Sequence, residues 1–133
     1  MRFVNSRRLL NSAGATITDL ALTNGVAVNS EAIKVEKNTG QVCLLIKEDK
    51  AGGAGDVDIY AEYSDTGNTN TWQRAYVSDL AGTISQEGNI VTTLRDATRR
   101  IYFQARLARY MRFVFDPDAD SQITADIIFQ EDE

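Results

Sequence analysis

The sequence predicts an all-β protein: an antiparallel β-sandwich of jelly-roll type preceded by an extended N-terminal arm. Two observations carry that expectation. Apolar and polar residues alternate with a period of two through most of the chain, which is the mark of strands with one buried face. Clusters of turn-forming residues interrupt the alternation at "TNG" 23–25, "KNTG" 37–40, "KAGGAGD" 50–56, "DTGN" 65–68, "QEGN" 86–89 and "DPDAD" 116–120. Short antiparallel strands joined by such turns build sandwiches and jelly rolls. At 133 residues the chain has the size of one domain, and 43% apolar with 25% charged residues suits a folded globular protein rather than a disordered one.

Residues 1–13 show no clean alternation and are expected as an arm outside a single sandwich domain at 14–133. The arm's Phe3, Val4, Leu9 and Leu10 need cover, either from a neighbouring chain or from the domain itself. "ATITDLALT" opens the first sheet and "AIKVE" adds a short strand. "QVCLLIK" is apolar on both faces, so it belongs at the centre of a sheet. In "DVDIYAEY", Val57, Ile59, Ala61 and Tyr63 face one way and Asp56, Asp58, Tyr60 and Glu62 the other. "TWQRAYV" and "NIVTTLR" are further strands. "RRIYFQARLARYMRFVF" fits strands through Ile101, Phe103, Ala105 and then Met111, Phe113, Phe115, but Phe103, Leu107, Tyr110, Met111 and Val114 also form a helical stripe. Its aromatic content decides for two strands with a turn or helical corner at 105–108. In the last strand, "QITADIIFQ", Ile123, Ala125, Ile127 and Phe129 point inward.

The chain has no histidine, which removes Ser-His and Cys-His nucleophile pairs and His-bearing zinc sites. Its one cysteine, Cys43, lies in an apolar run and is expected buried, with no internal disulfide. Glu62 and Asp65 are the best carboxylate pair for glycosidase-type chemistry, yet almost any acidic β-protein has two carboxylates near a loop. Asp116, Asp118 and Asp120 match the first ligand positions of a calcium loop, but Ser121 stands where glycine is required and Ile127 where a bidentate glutamate is required. "AGGAG" lacks the Gly-Lys-Ser/Thr of a phosphate loop. No enzyme, no metal and no cofactor are expected. No apolar run approaches a membrane span, and the first residues lack the apolar centre of a signal peptide, so neither membrane association nor secretion is expected.

Charge is uneven. The net charge is −5, but residues 1–14 hold Arg2, Arg7 and Arg8 with no acid, and residues 95–112 hold Arg95, Arg99, Arg100, Arg106, Arg109 and Arg112 against Asp96 alone. An acidic remainder disfavours nucleic acid, whose phosphates need a positive footprint. Alternation puts Tyr102 and Tyr110 on the same face as Arg100, Arg106 and Arg112, and arginine with tyrosine is the composition of a protein contact. "YSDTGNTNTWQRAY" reads as a hairpin: Tyr63 ends a strand facing inward, residues 65–70 turn, and Trp72 begins the next strand. Whether Trp72 faces the core or a partner is open at this level.

The succession "TITDLALTNGVAV", "IYAEYSDTGNTNTWQRAYV", "ARYMRFVF" and "ITADIIFQ" resembles the jelly-roll decoration, or cement, proteins of tailed-bacteriophage capsids, over most of residues 14–130. The resemblance implies a non-enzymatic structural protein, a dimer or trimer, that binds major capsid protein subunits on the virion surface after synthesis in the host cytoplasm. The contact residues expected on that basis are Arg2, Phe3, Arg7, Arg8, Leu9 and Leu10 of the arm, with Arg100, Arg109 and Arg112. The "S-D-x-G…W" and "R-Y-x-R-F" motifs also look like those of discoidin-type carbohydrate-binding sandwiches. That alternative implies a ligand site at Tyr63, Asp65, Trp72 and Tyr76, although this chain is shorter and lacks both a secretion signal and a pair of cysteines.

Overall fold

The computed structural model describes residues 2–35, 38–49, 57–74, 76–78, 81, 84–86, 90–92, 97–105 and 108–132, all strand, turn or loop. In chain order the strands are β1 (Arg2–Arg8), β2 (Leu20–Leu22), β3 (Val28–Asn29), β4 (Ile33–Lys34), β5 (Asn38–Asp49), β6 (Val57–Ser64) and β7 (Gln73–Arg74). They continue as β8 (Tyr76–Ser78), β9 (Ile84–Gln86), β10 (Ile90–Thr92), β11 (Ala97–Gln104), β12 (Tyr110–Pro117) and β13 (Ser121–Asp132). A five-stranded sheet runs β1-β13-β5-β11, with β2 also on β13. A six-stranded sheet runs β10-β6-β12-β3, with β4 also on β12 and β7 on β6, while β8 and β9 pair separately. The two large antiparallel sheets pack face to face as a β-sandwich.

Alternation explains the packing. Val42, Leu44 and Ile46 of β5, Ile101 and Phe103 of β11, and Ile123, Ala125 and Ile127 of β13 line one inner face. Val57, Ile59 and Ala61 of β6 meet them together with Met111, Phe113 and Phe115 of β12. Phe103 and Phe113 touch edge to face across the layers, with ring centroids 5.0 Å apart and planes at 62°. The inward sets expected for β6 and β13 are therefore the observed ones. β5, which contains "QVCLLIK", lies inside its sheet as expected, hydrogen-bonded on both sides by β13 and β11.

The stretch from 97 to 117 forms two strands, and the helical stripe is not used. β11 and β12 do not pair with each other; they belong to opposite sheets. The connection crosses the sandwich because Ile101 and Phe103 must face Met111, Phe113 and Phe115 rather than lie beside them. Residues 106–107, inside the expected corner, lie outside the described residues.

Residues 2–8 are extended, as expected of an arm, but they do not stand apart from the domain. β1 pairs with β13 along its whole length, from Arg2↔Asp132 to Arg8↔Asp126. Leu9, expected as a partner contact, is fully buried in the chain's own core. Its N–H donates to the Ala125 carbonyl at 2.9 Å, and its carbonyl accepts from Ile17 N at 2.8 Å. Bridges Leu10↔Thr16 and Asn11↔Ser30 carry the chain across the expected boundary at residue 13 without a break. Backbone pairing at the sheet's edge holds this segment, so its side chains need no regular apolar period, and Val4 stays 67% exposed.

Leu9→Ala is expected to lower the unfolding free energy by about 2–5 kcal/mol, through lost transfer energy and the cavity left behind. A denaturant titration checks this; a change below about 1 kcal/mol would mean that Leu9 adds little to the core.

Candidate functional site

On the outer face of the six-stranded sheet, strand register sets one carboxylate between two arginines: Glu62 of β6 opposes Arg112 of β12 on one side and Arg74 of β7 on the other. Arg112 Nε and Nη2 both donate to Glu62 Oε1, at 2.9 and 2.8 Å. Both side chains are only about a fifth exposed, 22% and 19%, so solvent screens this pair less than it would a surface pair. The Arg112 guanidinium also stacks 4.6 Å from the centre of the Trp72 ring, and the Arg74 guanidinium stacks 3.7 Å from the Tyr60 ring. Partial burial, then the nearby Glu62 carboxylate, raise the pKa of the Tyr60 phenol, and Arg74 opposes them.

The turn between β6 and β7 presents Trp72 to this face. Buried Ser64 ends β6, and its hydroxyl accepts from Gly67 N at 2.9 Å and Thr66 N at 3.2 Å. It also shares a 2.6 Å hydrogen bond with the Thr71 hydroxyl, closing the turn across its base. Gly67 has φ +76° and packs its backbone against the Tyr110 ring, where a β-carbon would come within 3.4 Å. Asn70 also takes a left-handed conformation, φ 69°, which asparagine tolerates better than most residues.

Trp72 and Arg112 form one wall of a cleft of about 690 Å³, with Asn70 of the turn, Asn11 and the 29–32 loop among its other borders. That volume falls in the usual range of small-molecule sites. The loop is anchored to β12: Ser30 N donates to the Phe113 carbonyl, and the Ser30 hydroxyl accepts from Phe113 N, both at 2.8 Å. Glu31 takes both guanidinium nitrogens of Arg7 at 2.7 and 2.8 Å and the Leu10 N–H at 2.7 Å. Asn11 Oδ1 accepts from Ala13 N and Ala15 N, each at 3.0 Å. The cleft's two charged side chains, Arg112 and Glu31, are thus each neutralised by a partner within the chain.

Arg112, expected as a protein contact, and Trp72, expected in a ligand site, meet here. Tyr63 does not join them: it packs against the core and its hydroxyl donates to the Gln104 carbonyl at 2.7 Å. Asp65 is exposed in the turn and does not line the cleft, and the Tyr76 side chain lies outside the described residues. Glu62 faces out of the sheet in the grip of Arg112 rather than serving a carboxylate pair with Asp65. In the aspartate-rich turn, Asp120 Oδ1 accepts from Asn24 N at 2.8 Å. Ile127, at the position of the missing calcium ligand, is fully buried in the core.

A second surface is the outer face of the five-stranded sheet. One cross-strand row reads Ser6, Ile128, Cys43, Tyr102; the next reads Arg8, Asp126, Leu45, Arg100. Tyr102 is 59% exposed, and with Val4, Ile128 and Leu45 it makes an apolar strip beside Arg100. Arg8 is held by Asp126 Oδ1 at 2.6 Å and Thr18 Oγ1 at 2.9 Å. Cys43 is buried, as expected, yet it sits on this outer face rather than on the inner one. The expectation that Arg100, Tyr102, Tyr110 and Arg112 share one face is corrected: β11 and β12 lie in different sheets, so the first two and the last two occupy opposite sides of the sandwich. Arg109 is exposed next to β12, the side chains of Arg2 and Phe3 lie outside the described residues, and so does Arg106 altogether.

No protein-family model matches the chain, and a search of curated proteins also found no match. The described residues form a β-sandwich that carries a polar, aromatic-walled cleft and a sheet face with an apolar strip edged by arginine. Among the described residues, no group of three or more cysteine, aspartate and glutamate side chains lies close enough to hold a metal ion.

Trp72 is the sole tryptophan, so its fluorescence reports this site directly. Arg112→Leu should shift its emission to the red and cost about 1–3 kcal/mol of stability, because the ring loses its cover and Glu62 its partner. An unchanged emission maximum would refute the stacking. For Tyr60, the sign follows from a phenol pKa raised above its ordinary value of 10.0 in the folded state. Folding favours the neutral phenol, and that contribution is complete below pH 10 and lost as pH climbs through the raised value. Titration of tyrosinate absorbance should show that Tyr60→Phe deletes an ionisation step above pH 10; deletion of a step at or below it would overturn the assignment.

Proposed function

We propose that this protein is a non-enzymatic structural protein that binds the outer surface of a tailed-phage capsid and stabilises the shell by bridging major capsid protein subunits. The observation that carries the reading is the outer face of the five-stranded sheet, where exposed Tyr102 and Val4 flank Ile128 and Leu45 with Arg100 alongside. Sheet faces left to solvent are normally polar, since they gain nothing from apolar side chains. Tyrosine and arginine around an apolar centre are the residues through which proteins grip other proteins. Arg100 gives an otherwise acidic chain, net charge −5, a local handle for an acidic partner.

A shell offers the same docking place many times. A dimer or trimer of this chain engages neighbouring places at once, and each further contact adds affinity without any single strong one. The resemblance of the strand and turn motifs to capsid decoration proteins supports the same role. Of the contact residues expected from that resemblance, Arg8 and Arg100 lie on this face.

Antibody to this chain should label the shells of purified virions in negative-stain images; unlabelled shells would sink the reading. The double variant Tyr102→Asp, Arg100→Glu should keep its melting temperature within about 3 °C and lose attachment by roughly 30-fold or more, the effect of removing one strong contact residue.

A further inference from the structure

The Trp72–Arg112 cleft lies on the opposite side of the sandwich from the proposed docking face, so it remains open to solvent when the five-stranded sheet is covered. We infer that this cleft binds a neutral, polyhydroxylated ligand, a pyranose unit of an uncharged glycan. Three features of the cleft select that chemistry.

First, the walls carry no net charge to offer. Arg112 spends Nε and Nη2 on Glu62, and Glu31 accepts three hydrogen bonds from Arg7 and Leu10 N. The charge of Arg112 is already balanced by Glu62, so a phosphate, sulfate or carboxylate ligand gains little net attraction there, and drawing the guanidinium away would leave a mostly buried carboxylate uncompensated. A cation would meet a carboxylate whose lone pairs are already directed at the Arg7 fork and the backbone. Second, the remaining polar groups are neutral hydrogen-bonding ones. Asn29 and Asn70 bring side-chain amides able to donate and accept, and Asn11, whose Oδ1 already accepts from Ala13 N and Ala15 N, keeps its Nδ2 to donate; vicinal hydroxyls require both kinds of group. A purely apolar ligand would strip those amides of water without replacing it.

Third, the apolar element is a single indole ring. The Arg112 guanidinium stacks on Trp72, and the hydroxyl-braced turn from Ser64 to Thr71 fixes the chain leading into it. A ring restrained before binding loses little entropy when a ligand stacks on it. The C–H face of a pyranose is apolar and flat on the scale of an indole, while its rim of hydroxyls points outward toward amides. The 690 Å³ of the cleft accommodates one such unit, with room for a linked neighbour at the open side.

The experiment exposes the whole protein to an array of immobilised neutral and acidic glycans and then titrates the best-retained free oligosaccharide calorimetrically and by Trp72 fluorescence. Saturable binding to neutral glycans is expected, changing less than about twofold between low and high salt because no net charge is matched. Trp72→Ala should weaken binding at least tenfold and Trp72→Phe by less. Ala32→Trp, at an exposed position of the cleft wall, should abolish binding without altering Trp72 or the fold. An array with no glycan retained, affinity unaffected by Trp72→Ala or Ala32→Trp, or preference for acidic glycans with a steep loss in salt would each overturn the inference. The Tyr102→Asp, Arg100→Glu variant should bind glycan as the unaltered chain does, so failure here and failure of shell attachment are told apart.

Discussion

Phe103 and Phe113 meet edge to face inside the sandwich, and the alternation on either side of them decides where every other side chain of their strands points. With Met111, Phe113 and Phe115 inward, Tyr110 and Arg112 must face out of one sheet; with Ile101 and Phe103 inward, Arg100 and Tyr102 must face out of the other. A slip of one residue in either strand would bury arginines and expose phenylalanines, so the register is held by the whole free energy of the core. Both surfaces depend on that parity. The Arg112–Glu62 pair exists because β12 and β6 bring two outward positions side by side, and the Tyr102–Cys43–Ile128 row exists because β11, β5 and β13 do the same.

The two faces use arginine in opposite ways. On the six-stranded sheet, Arg112 and Arg74 are tied down within the chain, one by a carboxylate and an indole, the other by a tyrosine ring. Charges held like this shape a surface and order an aromatic ring, but they exert little pull on a distant ion. On the five-stranded sheet, Arg8 is held by Asp126, whereas Arg100 stands exposed on the outermost strand next to Tyr102. An exposed cation beside apolar surface suits a partner that supplies both an acid and a hydrophobic patch. On the reading proposed above, one side of the sandwich meets a protein and the other a small neutral molecule.

The segment from Ser64 to Trp72 illustrates how short polar residues do structural work. Serine, threonine and asparagine here bond to backbone and to one another instead of to a ligand: the Ser64 hydroxyl alone serves two backbone N–H groups and Thr71. Gly67 lets the backbone approach the Tyr110 ring, which ties the turn to β12 and so to the strand that carries Arg112. Trp72 and Arg112, forty residues apart in the sequence, are brought together by this turn and by the β6–β12 ladder.

The sequence by itself determined the fold class, the inward residues of β6 and β13 and the internal position of β5, while for 97–117 it favoured strands over a helical stripe that the same residues also fit. Each of these rests on local alternation or on a run apolar on both faces, which neighbouring residues are enough to define. Only the tertiary structure decided that β11 and β12 lie in opposite sheets, that residues 2–8 join β13 with Leu9 in the core, and that the Tyr63 hydroxyl is spent on the Gln104 carbonyl rather than placed beside Trp72. It also decided that Trp72 faces out, under Arg112, and that a cleft opens beside it. The reason is physical: period-two alternation says which residues of one strand share a face, but not which strand becomes its neighbour. Pairing is chosen by the burial of residues far apart in the chain, and side-chain partners such as Arg112, Glu62 and Trp72 exist only once it is chosen.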